Sequence, residues 1–349
     1  MASSLRLLLA LLTLGLGTAQ TRAASEYIYG IGADWNLYQI TVDPVANTVS
    51  STAKLNLSGY VSGWGTASHK NEYINGLGID QSTGDIYFNY SYNDNSSSSS
   101  GTMTMVPYIY QNSGGSYKAP YALGAAISSP TLTATDVGSG WVPRATYYNG
   151  TYYAGLQNND TFVVMPISGT TTKSYSTIAS YANWDHSGFA VMGGGDFVIG
   201  TNNVIYGSTV GTNANYFFRQ QLSNATNVAG GSSWTNFNVD SSLPFATQGA
   251  IQVAGLGQST NLYVISSTGK NLYEVNGYNN STAPTFTQIG SSGIIPVTMT
   301  DLSIIVSAPL PVPEASTVFG GASLAIGAGF EWFRRRRKRR ELALSSPAA

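Results

Sequence analysis

Between about residues 25 and 308 the chain is built of short apolar runs, each opened or closed by Gly, Asn, Asp, Ser or Thr. One signature recurs, a turn residue followed by apolar or aromatic positions. It appears as Asn36-Leu37-Tyr38-Gln39-Ile40, Asp85-Ile86-Tyr87-Phe88, Thr151-Tyr152-Tyr153, Asp196-Phe197-Val198-Ile199, Asn261-Leu262-Tyr263-Val264-Ile265 and Asn271-Leu272-Tyr273-Glu274-Val275. Several copies follow a glycine-containing apolar run: Tyr29-Gly30-Ile31-Gly32, Ile74 to Asp80, Val191-Met192-Gly193-Gly194 and Val253-Ala254-Gly255-Leu256-Gly257. Alternation with a period of two, interrupted by turn formers, predicts strands joined as hairpins.

The pair Gly76-Leu77-Gly78-Ile79-Asp80 and Ser82-Thr83-Gly84-Asp85-Ile86-Tyr87 resembles the inner strands of a β-propeller blade, in which a glycine-rich strand lines the axis. From Asn36 to Asp85 is 49 residues and from Thr151 to Asp196 is 45, close to the roughly 40–50 of propeller repeats. The intervals from Asp85 to Thr151 and from Asp196 to Asn261, 66 and 65, are longer. They contain the loop-like segments 93–100 and 213–233, read as insertions. The expected fold is all-β and propeller-like, with a β-sandwich as the alternative.

Composition supports strands over helices. Charged residues are 9% of the chain against about 25% in ordinary domains, while Tyr alone numbers 23. Tyr, Thr, Val, Ile and Phe suit a pleated surface, and Gly and Asn supply turns. With 42% hydrophobic and 12% aromatic residues the chain can bury a core, which argues against disorder. Cysteine is absent, so stability rests on packing. Residues 25–308 carry seven basic residues against fourteen acidic ones, 7 − 14 = −7, an acidic body that disfavours nucleic acid as a partner.

Both ends differ from this body. Arg6, the apolar run Leu7 to Leu16 and the small residues Ala19, Ala23 and Ala24 form a secretory signal peptide over 1–24, a substrate for signal peptidase. At the other end Val312-Pro313-Glu314-Ala315-Ser316-Thr317 precedes an uncharged apolar run, Val318 to Phe330, and then Arg334-Arg335-Arg336-Arg337-Lys338-Arg339-Arg340. Thr317 to Phe333 supplies 17 residues with one charge, Glu331, the short end of a membrane span. Seven consecutive cations stay in the cytoplasm and leave the body outside the inner membrane. This order of motif, apolar segment and basic cluster over 309–349 resembles the PEP-CTERM sorting signal of Gram-negative bacteria, with Ala315 where the family's core motif has its second proline. The resemblance implies processing by an exosortase, delivery to the cell envelope or beyond, and association with extracellular polysaccharide.

Candidate chemistry in the body is sparse. Only two histidines occur, His69 and His186. Asp185, His186 and Ser187 are sequence neighbours, which on a strand point to opposite faces and cannot form a relay, and no Gly-x-Ser-x-Gly elbow is present. Asp34, Asp80, Asp136, Asp185 and Asp196 are the carboxylates available for glycoside hydrolysis, but no spacing selects two of them. Asn93-Asp94-Asn95 and Asn158-Asn159-Asp160 lack the alternation and distal glutamate of a calcium loop. No cofactor or metal set is assigned. Trp35, Trp64, Trp141, Trp184, Trp234, Tyr147-Tyr148 and Tyr152-Tyr153 are the aromatic candidates for stacking on sugar rings, or for packing between blades. The expectation is a non-catalytic binding or structural protein, with a glycan-active hydrolase or lyase as the alternative. Two carboxylates converging in one cleft would mark the enzyme.

Overall fold

A computed structural model of the chain describes residues 25–93, 102–133, 144–155, 161–175, 180–183, 196–200, 203–210, 215–221, 234–238, 251–254, 261–266, 270–278 and 284–305. Apart from one 3-10 turn, Leu57–Gly59, every regular element among them is a strand, and five antiparallel sheets of four or five strands contain nearly all of these. The first sheet runs Met299–Ile305, Glu26–Gly32, Asn36–Asp43, Thr48–Asn56. The second runs Lys70–Ile79, Ile86–Asn93, Thr102–Tyr110, Ile127–Thr133, with Tyr121–Ala122 also paired to its third strand. The third runs Arg144–Tyr148, Thr151–Gly155, Thr161–Ser168, the last pairing both Ser174–Tyr175 and Ser180–Asn183. The fourth is Phe197–Ile199, Val204–Val210, Asn215–Gln221, Trp234–Asn238, and the fifth Ile251–Ala254, Tyr263–Ser266, Leu272–Asn276, Thr285–Ile289.

The first strand named in each sheet touches its counterparts in two neighbouring sheets. Met299–Ile305 lies against Lys70–Ile79 and Ile251–Ala254, Arg144–Tyr148 lies against Lys70–Ile79 and Phe197–Ile199, and Phe197–Ile199 completes the ring against Ile251–Ala254. Five inner strands around one axis are the propeller-like arrangement that the hairpin pattern predicts. Closure joins the two ends of the body, because Met299–Ile305 pairs with Glu26–Gly32 from Tyr27 opposite Ile305 to Gly32 opposite Met299.

Hydrophobic cores fill the spaces between sheets. Ile28, Ile40, Val42, Tyr263, Ile265, Leu302 and Ile304 meet between the first and fifth, and Ile31, Leu37, Ile74, Leu77, Phe88 and Tyr90 between the first and second. Tyr87, Met105, Ile109, Tyr152, Val163 and Met165 fill the space between the second and third. Neighbours along a strand therefore serve different cores. Tyr263 and Ile265 face the first sheet, whereas Val264 joins Val198, Tyr206 and Tyr273 on the other side. Sheets buried on both faces read as near-continuous apolar runs.

The repeat length differs from the expectation, for a topological reason. Asn36–Asp43 is a third strand and Phe197–Ile199 an inner one, so the intervals of 49 and 45 compare non-equivalent positions. Equivalent second strands begin at Glu26, Ile86, Thr151, Val204 and Tyr263, and their spacings are 60, 65, 53 and 59. Of the two longer intervals, that from Asp85 to Thr151 joins equivalent second strands and is the repeat itself, whereas that from Asp196 to Asn261 runs from an inner strand to a second one.

The chain divides into two compact units, one of residues 1–113 and 117–308, the other of 114–116 and 309–349. Of the second unit only 114–116 is described, a turn in which Gly114 and Gly115 both adopt positive φ. The segments expected to be a signal peptide, 1–24, and a sorting tail, 309–349, lie outside the described residues. No helix among the described residues is long and apolar enough to cross a membrane.

Candidate functional site

A cleft of about 610 Å³ opens where the inner strands end, lined by Asp80, Gln81, Ser82, Tyr147, Tyr148, Asn149, Gly150 and Ile199. Its walls are two inner-to-second-strand turns and the end of a third inner strand. Asn149 and Gly150 have φ of 46° and 79°, the left-handed pair that a tight two-residue hairpin turn requires, which is why Asn-Gly stands there. That turn projects Tyr147 and Tyr148, both half-buried, into the cleft. Tyr147 is held by stacking on Tyr87, with ring centroids 4.7 Å apart and planes 6° from parallel. The Tyr148 hydroxyl donates to Asn203 Oδ1 on the next turn of the ring.

The facing wall is organised by Asp80. Its Oδ1 accepts the Ser82 backbone N–H at 2.9 Å and the Ser82 hydroxyl at 2.6 Å, while Gly84 N–H donates to its carbonyl at 2.7 Å. Burial opposes ionisation of Asp80, but hydrogen bonds from Ser82, Tyr147 and Thr83 outweigh it and hold the carboxyl below the usual range. Tyr147 is displaced upward, by burial first and then by the Asp80 charge, so it remains a neutral hydroxyl. Gln81 Nε2 donates to the carbonyl of Ile304, at the end of the first sheet's inner strand. Four of the five inner strands thus finish at this rim. The arrangement offers one fixed anion, amide and hydroxyl groups and two tyrosine rings, which together suit a polyhydroxylated ligand better than an apolar one.

The other predicted residues divide. Trp35 and Trp64 meet edge-to-face at 5.3 Å, Trp35 also meets Tyr73 at 6.1 Å, and both tryptophans pack on the core between the first and second sheets. His69 stacks on Tyr92 with centroids 3.6 Å apart and shares a 2.8 Å hydrogen bond between Nδ1 and the Tyr90 hydroxyl, which in turn donates to Glu72. These are packing roles. Tyr152 and Tyr153 are fully buried. Asp34 closes a turn, accepting from Asn36 and Tyr38. Trp141, Trp184, Asp136, Asp185, His186 and Asn158 to Asp160 lie outside the described residues, and Trp234 is described only as part of a strand. Asp80 is the carboxylate that lines the cleft among the described residues. Gln81 and Ser82 carried no signal of their own, since their role arises from the neighbouring turn at Asn149-Gly150, which is distant in sequence.

Comparison with known proteins adds no family. No family model matches the chain, and no curated protein matches it. A crystal structure of a protein from Lactobacillus plantarum is 13% identical over 76% of this chain and 67% of that one, with a TM-score of 0.31.

Proposed function

We propose that this is an exported envelope protein, delivered by its 1–24 signal peptide, held by its 309–349 tail until an exosortase acts, and serving afterwards as a non-catalytic binder of extracellular polysaccharide. The observation that carries the binding role is the cleft in which Tyr147 and Tyr148 stand opposite the Asp80-Gln81-Ser82 turn. Sugar rings stack on tyrosine faces, and carboxylate, amide and hydroxyl groups satisfy their hydroxyls. Asp80 is the carboxylate on the cleft wall among the described residues, and since hydrolysis needs two acids flanking the bond, a second one beside it would mark turnover. The sorting reading rests on the order of Val312 to Thr317, the apolar run and Arg334 to Arg340.

Two measurements test the two halves. Mass spectrometry of envelope or extracellular material should recover the protein without Arg334 to Arg340, and intact peptides through Leu342 from surface material would overturn the sorting half. A glycan array at low and high salt should show binding to neutral or weakly charged polysaccharide with little salt dependence, because few ion pairs are involved. Binding to an anionic polymer that vanishes at high salt would defeat it, and glycan turnover lost on replacing Asp80 would establish the enzyme instead.

A further inference from the structure

A second cavity lies at the other end of the same inner strands. Of about 200 Å³, it is lined among the described residues by Ala33, Trp35, Tyr73, Ile74, Asn75 and Thr300. Asn75 lies five residues before Asp80 and Thr300 four before Ile304, so the cavity stands roughly 13–17 Å along the strands from the cleft.

The backbone of Trp35 is strained. Trp35 ends the three-residue loop 33–35 between Glu26–Gly32 and Asn36–Asp43, its N–H donates to the Gly32 carbonyl at 2.8 Å, and its φ is +63°. Such loops finish on a left-handed residue, ordinarily glycine. The other non-glycine residues with positive φ among the described ones, Asn47, Asn149 and Asn203, are of a type that tolerates it, whereas a bulky ring there is an outlier. Packing accounts for part of this, because the ring meets Trp64 and Tyr73 edge-to-face. The ring is still only half-buried, and its plane stands 81° from that of Tyr73, so the two form a corner on the cavity. Strain of this kind clusters where a site uses it.

The polar groups of the cavity are few, and one is unsatisfied. Asn75 is 6% exposed, and its Oδ1 has no hydrogen-bond partner among the described residues. The strand bulges beside it, where pairing with Ile86–Asn93 shifts register between Asn75 and Gly78 and Gly76 takes φ +72°. The buried carboxyl of Asp301 fixes the bulge, its Oδ2 accepting the Gly76 N–H at 2.7 Å and the Leu77 N–H at 3.0 Å. Bulges re-aim side chains beside sites, and the side chain here is an amide, which can both donate and accept. Thr300 donates its hydroxyl to the Ile31 carbonyl at 3.1 Å, which leaves its oxygen as an acceptor. No charged side chain lines the cavity among the described residues.

We infer that this cavity is a second carbohydrate site, shaped for the terminal 6-deoxyhexose ring of a glycan. The inference rests on the glycan-binding reading of the protein and adds a separate site of a different kind. An apolar cavity of about 150 Å³ accommodates benzene, so the space admits one six-membered ring and not a run of them. Trp35 and Tyr73 suit the C–H face of a sugar, while Asn75 and Thr300 suit its hydroxyls. Ala33 and Ile74 suit a methyl group better than a hydroxymethyl, whose hydroxyl would meet no partner there.

Ligand-observed NMR titration of the full chain in detergent with the methyl glycosides of rhamnose and fucose tests this. One of the two should bind saturably, with the strongest saturation transfer to its C6 methyl, and about tenfold tighter than its parent mannoside or galactoside of the same hand. Trp35→Gly should abolish that binding and keep the β circular dichroism, since glycine suits φ +63°. Asn75→Leu removes an unsatisfied buried amide, so it should melt no lower than wild type and bind at least about tenfold more weakly. Tyr148→Ala should bind the 6-deoxyhexoside as wild type does. Failure of polysaccharide binding on the array with the 6-deoxyhexoside still bound would sink the cleft reading and leave this site standing. Wild-type affinity in either Trp35→Gly or Asn75→Leu, parent hexosides bound as tightly, or no saturable binding by the wild-type chain overturns the inference.

Discussion

Asp80 is a largely buried carboxyl that nonetheless prefers its charged form, and this has a readable pH signature. Its folded value lies below the unfolded one of about 3.9, so its contribution to stability is present above that value and disappears as pH falls through the folded value. Thermal denaturation should therefore show a part of the stability lost below about pH 4, and glycan binding should be unchanged between pH 7 and pH 5. Asp80→Asn, which leaves one acceptor for the Ser82 and Tyr147 donors, should lose ~1–2 kcal/mol at pH 7 by urea denaturation, and the difference from wild type should shrink below pH 4. Tyr148→Ala should weaken glycan binding about tenfold, ~1.4 kcal/mol, with the circular dichroism spectrum unchanged. A loss of β signal in that variant would assign Tyr148 to the fold. Of these residues Tyr147 and Tyr148 were legible in the sequence, since aromatics beside an Asn-Gly turn announce both the turn and their projection from it. Asp80 was legible as a turn aspartate only. Its place in a cleft depends on which turn closes in beside it, which no local pattern encodes.

Among the elements, the inner strands carry glycines for two separable reasons. A Cβ at Gly78 would fall 2.7 Å from the Tyr147 backbone nitrogen and 3.0 Å from the Thr146 carbonyl carbon, so this glycine permits the second and third sheets to approach at the axis. Gly150 has open space around it and is needed for its φ of +79°. Gly78→Ala should cost about 1–3 kcal/mol by overpacking backbone that cannot yield, and should also weaken glycan binding by moving Tyr147. Gly150→Ala should cost ~1 kcal/mol, from its backbone conformation alone. Paired urea denaturation and binding titrations separate the two. The sequence pattern found the hairpins, and Ile74 to Asp80 with Asp85 to Phe88 stands as the hairpin of Lys70–Ile79 and Ile86–Asn93. It did not rank strands within a sheet. Asn36-Leu37-Tyr38 and Asp85-Ile86-Tyr87 look alike, yet one opens a third strand and the other a second, because the first sheet takes its inner strand from residues 299–305. Position in a sheet is a long-range property, and the local run of a turn residue before apolar positions is the same in second and third strands.

For the molecule as a whole, closure of the ring by its own two ends predicts where the chain tolerates shortening. Ending the chain after residue 298 removes the inner of the two strands paired with Glu26–Gly32 and exposes Ile28, Ile40 and Tyr263, so it should abolish cooperative unfolding by circular dichroism. Ending it after residue 311 leaves every described strand and should keep that transition within a few degrees of the full chain. Aggregation of the longer product would mean that the tail belongs to the fold. The Gln81 hydrogen bond to the Ile304 carbonyl joins the closing strand to the cleft wall. Fraying of that strand end would loosen Gln81 with it, so ring closure and the shape of the cleft rise and fall together. Whatever fills the cleft against Gln81 therefore also clamps the seam at which the two ends of the body meet.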